Sequence, residues 1–349
     1  MEYKKQTAGK AIAMLCLLLV FFTPARAVTD LFETELAVTD QTPGVRTAAF
    51  RTALSRIIVR VAGDQSVLSG EPARKLLEDP ARLVQQYRYF TETSSNPAVL
   101  KLWARFDGDA IRRSLQQDGM AYWGGERPDT LVWLAVEDRG RRYIVSADGG
   151  SDVHRQVELA ARKRGVPILF PLMDLEDQSQ VRFSDLWGGF FDKVLTASKR
   201  YKPPAVLIGR LNRSPSGGWS SRWHLDVVGR ANEWSDSHRQ LQELAQQGIE
   251  DVADILATRY AVTGSGNTGD TVNITVNGIE TLDAYARISR YLASLSSVSR
   301  VEVSELVPGS VQYSLQASGG LQNLTRTVAI GTVLETDPGG LPGSFRLRQ

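Results

Sequence analysis

"TLVWLAVED" (Thr130–Asp138) decides the fold class. It is an almost continuous apolar run with no polar alternation, the pattern of a strand buried on both faces. "PILFP" (Pro167–Pro171) and "AVLIGRL" (Ala205–Leu211) repeat the pattern further on. Helical stretches lie between them. "VHRQVELAARKRG" follows a Ser151-Asp152 cap and stops at Gly165, and "SDLWGGFFDKVLTASKRY" has Ser184 placed to cap a helix. Strands alternating with helices predict a parallel-type α/β sheet. "DRGRR" (Asp138–Arg142) with "YIVSA", and "SPSGG" leading into "WSSRWHLDVVG", add antiparallel hairpins. A long helix is expected over Asp236–Tyr260. The central α/β domain therefore spans 121–262, after the breaker-rich joint "AYWGGERPD".

The flanking regions read as α+β. In the first, "LFETELAV" is a strand and "VRTAAFRTALSRIIVRVAG" a helix with Phe50, Leu54, Ile57, Ile58 and Val61 on one face. Short helices surround Pro80. "YRYF" (Tyr87–Phe90) pairs with "LKLWARF", where Leu100, Leu102, Ala104 and Phe106 alternate with Lys101, Trp103 and Arg105. A helix opens at Asp109 and closes at Gly119. Region three follows the Gly/Ser-rich linker 263–270. There "TVNITVNGI", a helix burying Leu282, Tyr285, Ile288, Tyr291, Leu292 and Leu295, a hairpin around Pro308-Gly309, a second helix and a last strand "FRLRQ" give β-α-β-β-α(β). Both ends, 28–120 and 271–349, thus carry the ferredoxin-like or split βαβ order. The expected architecture is a mixed sheet covered by helices, flanked by two smaller ferredoxin-like domains.

The first residues set the compartment. Lys4, Lys5 and Lys10 precede the uncharged run Ala11–Phe22, and Ala25 and Ala27 supply an A-x-A cleavage pattern. The run is shorter than the roughly 18–20 residues of a comfortable membrane span. This reads as a signal peptide (1–27) cleaved between Ala27 and Val28, with export to the periplasm; an uncleaved anchor is the alternative. Cys16, the chain's one cysteine, lies inside the apolar run without the small residue a lipidation signal needs before it. Cleavage would leave a chain without thiols, excluding disulfides, thiolate nucleophiles and cysteine-ligated zinc. The chain has 41 basic and 39 acidic residues. Removing Lys4, Lys5, Lys10, Arg26 and Glu2 leaves one acidic charge in excess. No nucleic-acid footprint is implied, no cofactor is called for, and no second stretch could span a membrane.

Five stretches, "ALSRIIVRVAGD", "RPDTLVWLAVED", "RGVPILFPLMDLED", "SKRYKPPAVLIGRL" and "GGWSSRWHLD", cover most of Leu31–Val262. In these the chain resembles the exported domain-of-unknown-function family 2066 of Gram-negative bacteria. The resemblance implies a periplasm-directed protein without an assigned activity. "YKPPAVLIGRL" followed by a tryptophan-bearing strand makes region two similar in layout to the TolB N-terminal module, which implies protein–protein binding by analogy alone.

Candidate chemistry is sparse. Asp174, Glu176 and Asp177 cluster after "PILFP", in a loop at the carboxyl end of a strand, where α/β sheets bind ligands. They could hold a cation or divide acid and base roles; otherwise they cap backbone N–H groups. His224 and Asp226 share a strand face and could relay a proton. His154 and His238 read as solvated. No G-x-S-x-G, H-E-x-x-H or P-loop motif occurs. Trp219 and Trp223 lie on one strand face, either as a stacking strip for sugars or side chains or as core. Arg139 and Arg141 at a hairpin tip could meet an acidic partner. The reading favours a non-enzymatic binding or accessory factor of the cell envelope with a protein partner. Its rivals are a metal-dependent or acid/base hydrolase using Asp174, Glu176 and Asp177 with His224, and a glycan-binding module using exposed tryptophans.

Overall fold

A computed structural model describes residues 31–93, 97–263 and 270–348. The expected signal segment, its cleavage position and Cys16 lie outside these residues, as does the linker between 264 and 269. The fold is α/β, with three main sheets and a short two-stranded ladder among the described residues.

The first sheet is built from β1 (Glu33–Ala37), α1 (Pro43–Ala62), α2 (Glu71–Glu78), β2 (Val84–Glu92), β3 (Val99–Phe106) and α3 (Gly108–Gln117). Its order is β1-β3-β2, antiparallel throughout. That is the split βαβ arrangement the element order predicted. Leu36, Leu102, Ala104 and Phe106 face Phe50, Leu54, Ile57 and Ile58 of α1 in one core. The other face of the sheet carries Lys101, Trp103 and Arg105. Asp107, not Asp109, caps α3, accepting from Ala110 N–H.

The central unit comprises β4 (Ala121–Tyr122), β5 (Thr130–Asp138), β6 (Arg141–Ile144), α4 (Asp152–Arg164), β7 (Ile168–Leu169), α5 (Leu175–Gln180), α6 (Phe183–Gly188), α7 (Phe191–Ser198), β8 (Ala205–Arg213), β9 (Trp219–Val227), β10 (Arg230–His238), α8 (Leu241–Tyr260) and β11 (Val262–Thr263). The sheet runs β10-β9-β8-β5-β6, with β7 also on β5. β5 is parallel to β7 and β8; the other pairs are antiparallel. Val132, Leu134 and Val136 pack under α4 and α8, while Leu131, Trp133 and Ala135 pack under α6 and α7. Burial on both faces is why the strand shows no alternation.

The last sheet contains β12 (Asp270–Ile279), α9 (Leu282–Ser294), β13 (Val298–Val307), β14 (Gly309–Ala317), α10 (Gly320–Ile330), β15 (Leu334–Thr336) and β16 (Ser344–Leu347). Its order is β13-β14-β12-β16-β15. The final strand β16 lies parallel to β12, and the short β15 closes the edge beyond it.

Several local expectations change. Asp236–His238 end the strand β10 and do not start the long helix, which begins at Leu241. Pairing with β9 along its whole length overrides the weak strand propensity of Asn, Asp and Ser. "PILFP" contributes only two paired residues, and Leu169 is exposed. The helix expected from Ser184 divides at Gly188-Gly189, with Gly189 left-handed at φ 76°. Its cap is Arg182, whose N–H donates to Asp185. Leu282, expected to be buried, is the exposed first residue of α9.

Three buried arginines fasten the first unit to the second. Arg60, Arg127 and Arg164 are each about nineteen-twentieths buried. Arg127 donates to the carbonyls of Arg60, Trp123, Gly124, Arg164 and Gly165, and its guanidinium lies 3.8 Å from the Trp123 ring centre. Arg60, in the last turn of α1, donates to Lys163 O in α4; Arg164, the end of α4, donates to Gly63 O just beyond α1. Each helix thus supplies the cation that satisfies the other's orphan carbonyls, at the negative ends of both helix dipoles. Burial, and then the nearby Arg60 charge, hold the Arg127 pKa well below that of an ordinary arginine. Gly63 is left-handed, and a Cβ there would overlap the Ala257 side chain of α8.

Candidate functional site

The acidic stretch is a short helix start, not an open loop. Asp174 is the N-cap of α5 and accepts from Asp177 N–H at 3.0 Å. Asp177 is buried, with Oδ2 accepting from Met173 N–H at 2.9 Å and from the Tyr201 hydroxyl at 2.5 Å. Arg200 spans both aspartates and lies 3.5 Å from Glu176. Its hydrogen bonds hold the Asp174 carboxyl well below the usual carboxylate range. Burial, then the bond to Asp177, pushes Tyr201 up to about 12. These carboxylates cap backbone groups and neutralise one arginine. A carboxylate kept ionised by a bidentate cation is a poor proton carrier near neutral pH. Among the described residues, no group of three or more His, Cys, Asp or Glu side chains could hold a metal ion.

His224 is buried and stacked on Phe191 at 3.8 Å between ring centres, and its Nδ1 lies 3.0 Å from Glu233 Oε1. Asp226, its expected partner, instead accepts from Gly229 N–H. Trp219 and Trp223 are in the core under α8, at 8% and 2% exposure. Their rings cannot stack on a sugar, so the exposed-strip reading of these two residues is corrected. Gly248 and Gly209 make room for Trp223: an added Cβ would lie 2.6 Å and 2.5 Å from its ring. Arg139 and Arg141 sit exposed at the β5–β6 turn, Arg139 at φ 51°.

The surface that does gather recognition chemistry lies on the first sheet. Trp103 projects from β3 on the face opposite α1. Register places Arg88 of β2 directly beside it and Glu35 of β1 on its other side. The guanidinium carbons of Arg88 and Arg105 lie 5.1 Å and 5.7 Å from the Trp103 ring centre, within cation–π range. Arg105 is paired with Glu33, and Lys101 with Glu92 and Glu35. Arg88 makes no ion pair among the described residues. A shallow cleft of about 540 Å³ is lined by Gln85, Gln86, Tyr87, Arg88 and Trp103. Gln85 also borders a second cleft, with Phe32, Asp107, Asp109 and Tyr122. The pairing shifts between Val84 and Gln86, and such a bulge re-aims side chains. The sequence held the signal: Trp103 sits on the charged side of a strand that otherwise alternates cleanly.

These features define a three-sheet α/β protein with an aromatic–cationic face on its first sheet. A family model described as Domain of unknown function (DUF8605) matches residues 25–124, less than a third of the chain but all of that sheet and its helices. The match supports an uncharacterised domain over this stretch, and it names neither family 2066 nor a TolB-like module. No curated protein matches the chain.

Proposed function

We propose that this chain is an exported, non-enzymatic binding or accessory factor of the cell envelope, and that the Trp103 face of its first sheet holds a protein partner. One observation carries the proposal: a half-buried tryptophan on the sheet face away from α1, flanked by two guanidiniums and beside a cleft that Gln85, Gln86 and Tyr87 also line. Tryptophan, tyrosine and arginine are the residues that dominate interface energetics. The inward use of Asp174 and Asp177 supports the same choice over a hydrolase. Export is supported by the basic, apolar and A-x-A segments of 1–27. We take the three sheets as three domains, divided near residue 120 and within 263–270. The likeness of the five stretches to family 2066, and of region two to the TolB N-terminal layout, fits a periplasmic binding role. No helix among the described residues is long and apolar enough to cross a membrane.

The test is a photo-crosslinking amino acid placed at position 35, opposite Trp103 in the β1–β3 register, in intact cells, with position 139 as a second site. A dominant, reproducible protein adduct at 35 is expected. No adduct there, together with a defined turnover on an envelope substrate that is lost in Asp177→Asn, would overturn the proposal.

A further inference from the structure

We infer that the free edge of β2 is a strand-addition site for an extended acidic segment of a partner protein. The inference rests on the binding reading above and names its occupant. β2 is the outer strand of the first sheet, and its pairing with β3 is unbroken from Gln86 to Glu92. A shallow cleft beside this edge is lined by four consecutive residues of β2, Gln85, Gln86, Tyr87 and Arg88, and by Trp103 of β3; an added strand would lie alongside those four residues. An exposed edge offers unpaired N–H and C=O groups to such a strand.

Charge complementarity specifies the occupant. Arg88 is held over Trp103 on the open face. Tyr87, the neighbouring residue, projects to the opposite face, where its ring packs edge-on against Phe50 and carries the Arg46 guanidinium at 5.8 Å. Neither Arg46 nor Arg88 has a carboxylate partner among the described residues. The edge is therefore flanked on each face by one aromatic-supported, unneutralised guanidinium. Successive side chains of an incoming strand point to opposite faces, so two adjacent acidic residues would meet one arginine each. Charge-assisted pairing of carboxylate with guanidinium is the strong form of such contacts.

The other long edges differ. β13 carries two register shifts and its own Arg300–Glu302 pair, features that blunt an edge. β10 presents Glu233 and Asp236, which would repel an acidic strand.

The test uses the full mature chain and fluorescence anisotropy of a labelled nine-residue peptide of alternating Thr and Val with Asp-Glu at its centre. Replacing Asp-Glu by Asn-Gln is expected to weaken binding by about tenfold or more. Arg46→Gln and Arg88→Gln are each expected to weaken it about three- to fivefold, the scale of exposed charge pairs. Arg88→Lys should recover only part, because lysine lacks the planar, two-pronged guanidinium that meets a carboxylate. N-methylation of alternate peptide residues should abolish binding by removing the ladder donors. Equal affinity for the acidic and neutral peptides, dependence on only one arginine, or undiminished binding of the N-methylated peptide would each overturn strand addition by an acidic segment. If adducts form at position 35 but the acidic peptide does not bind, this inference falls and the binding reading stands. If the peptide binds but no adduct forms, the strand site stands and the Trp103 face falls as the partner's contact.

Discussion

Arg200 grips Asp174 with two nitrogens, Nη1 to Oδ1 and Nη2 to Oδ2, both at 2.8 Å. The same Nη1 reaches Asp177 Oδ1 at 3.0 Å. Asp174 and Asp177 thus tie the start of α5 to the turn before β8.

Asp177→Ala removes the acceptor for Met173 N–H, the Tyr201 hydroxyl and Arg200 together. A loss of about 2–4 kcal/mol is expected, the usual cost of stripping buried polar groups of their partner. Urea unfolding at pH 7 measures it. Ultraviolet titration of the folded variant should also find Tyr201 ionising below its position at about 12. The raised value means the folded state favours neutral phenol. That contribution is complete below pH 10, about the tyrosine pKa of an unfolded chain, and is lost as pH rises through about 12.

Acid should act through Asp174. Its folded pKa is depressed, so its contribution to stability is present above about pH 4, the pKa of an unfolded aspartate, and is lost as pH falls further. Arg200→Gln should therefore cost more stability at pH 7 than at pH 3. Denaturant midpoints for both chains at both pH values check this. Equal costs at the two pH values would show that the ion pair does not set the acid limb.

Arg127→Ala leaves five carbonyl acceptors without their donor. A cost of about 3–5 kcal/mol is expected, as for breaking a buried charged network. Arg105→Ala on the exposed sheet face should cost about 1 kcal/mol or less. Calorimetric unfolding of the two variants gives the comparison.

The tryptophans should separate into two classes. Trp223→Ala is expected to cost about 3–5 kcal/mol, as large-to-small core changes do. Gly248→Ala should be destabilising by about 1–3 kcal/mol, because overpacking against Trp223 outweighs the helix propensity gained. Trp103→Ala should shift stability by about 1 kcal/mol or less while abolishing capture of the partner. Urea midpoints and crosslink yields from a neighbouring position read the two effects separately.

The proposed export predicts the mature terminus. Intact mass and N-terminal sequencing of the periplasmic protein should give a chain beginning at Val28. A full-length cytosolic chain beginning at Met1 would contradict the compartment.

The architecture was legible where burial leaves a period in the sequence. β5 shows it as an unbroken apolar run, β3 as strict alternation, α1 and α4 as helices closed by glycine. β10 was not legible: it is an outer strand with most residues exposed, and the face turned to the core carries Trp234 with the polar Asp236 and His238, so no apolar period appears. The role of Asp177 was hidden for a different reason. Its partners Tyr201 and Arg200 are more than twenty positions away, and local pattern carries no information on such contacts. Trp219 and Trp223 were ambiguous because alternation assigns residues to a face without saying what covers it. The Trp103 face was readable in part, but Arg88 joins it only through the β2–β3 register.

The two-residue ladder of β4 and β11 sets Tyr122 opposite Val262 and Ala121 opposite Thr263. The central unit is thus a loop of chain cinched at its neck, with the first and last sheets leaving from the same point. Such closely spaced ends are what allow one domain to be spliced into another. Tension pulling the outer sheets apart would travel through this clasp, and the central sheet would bear strain only once the clasp had opened.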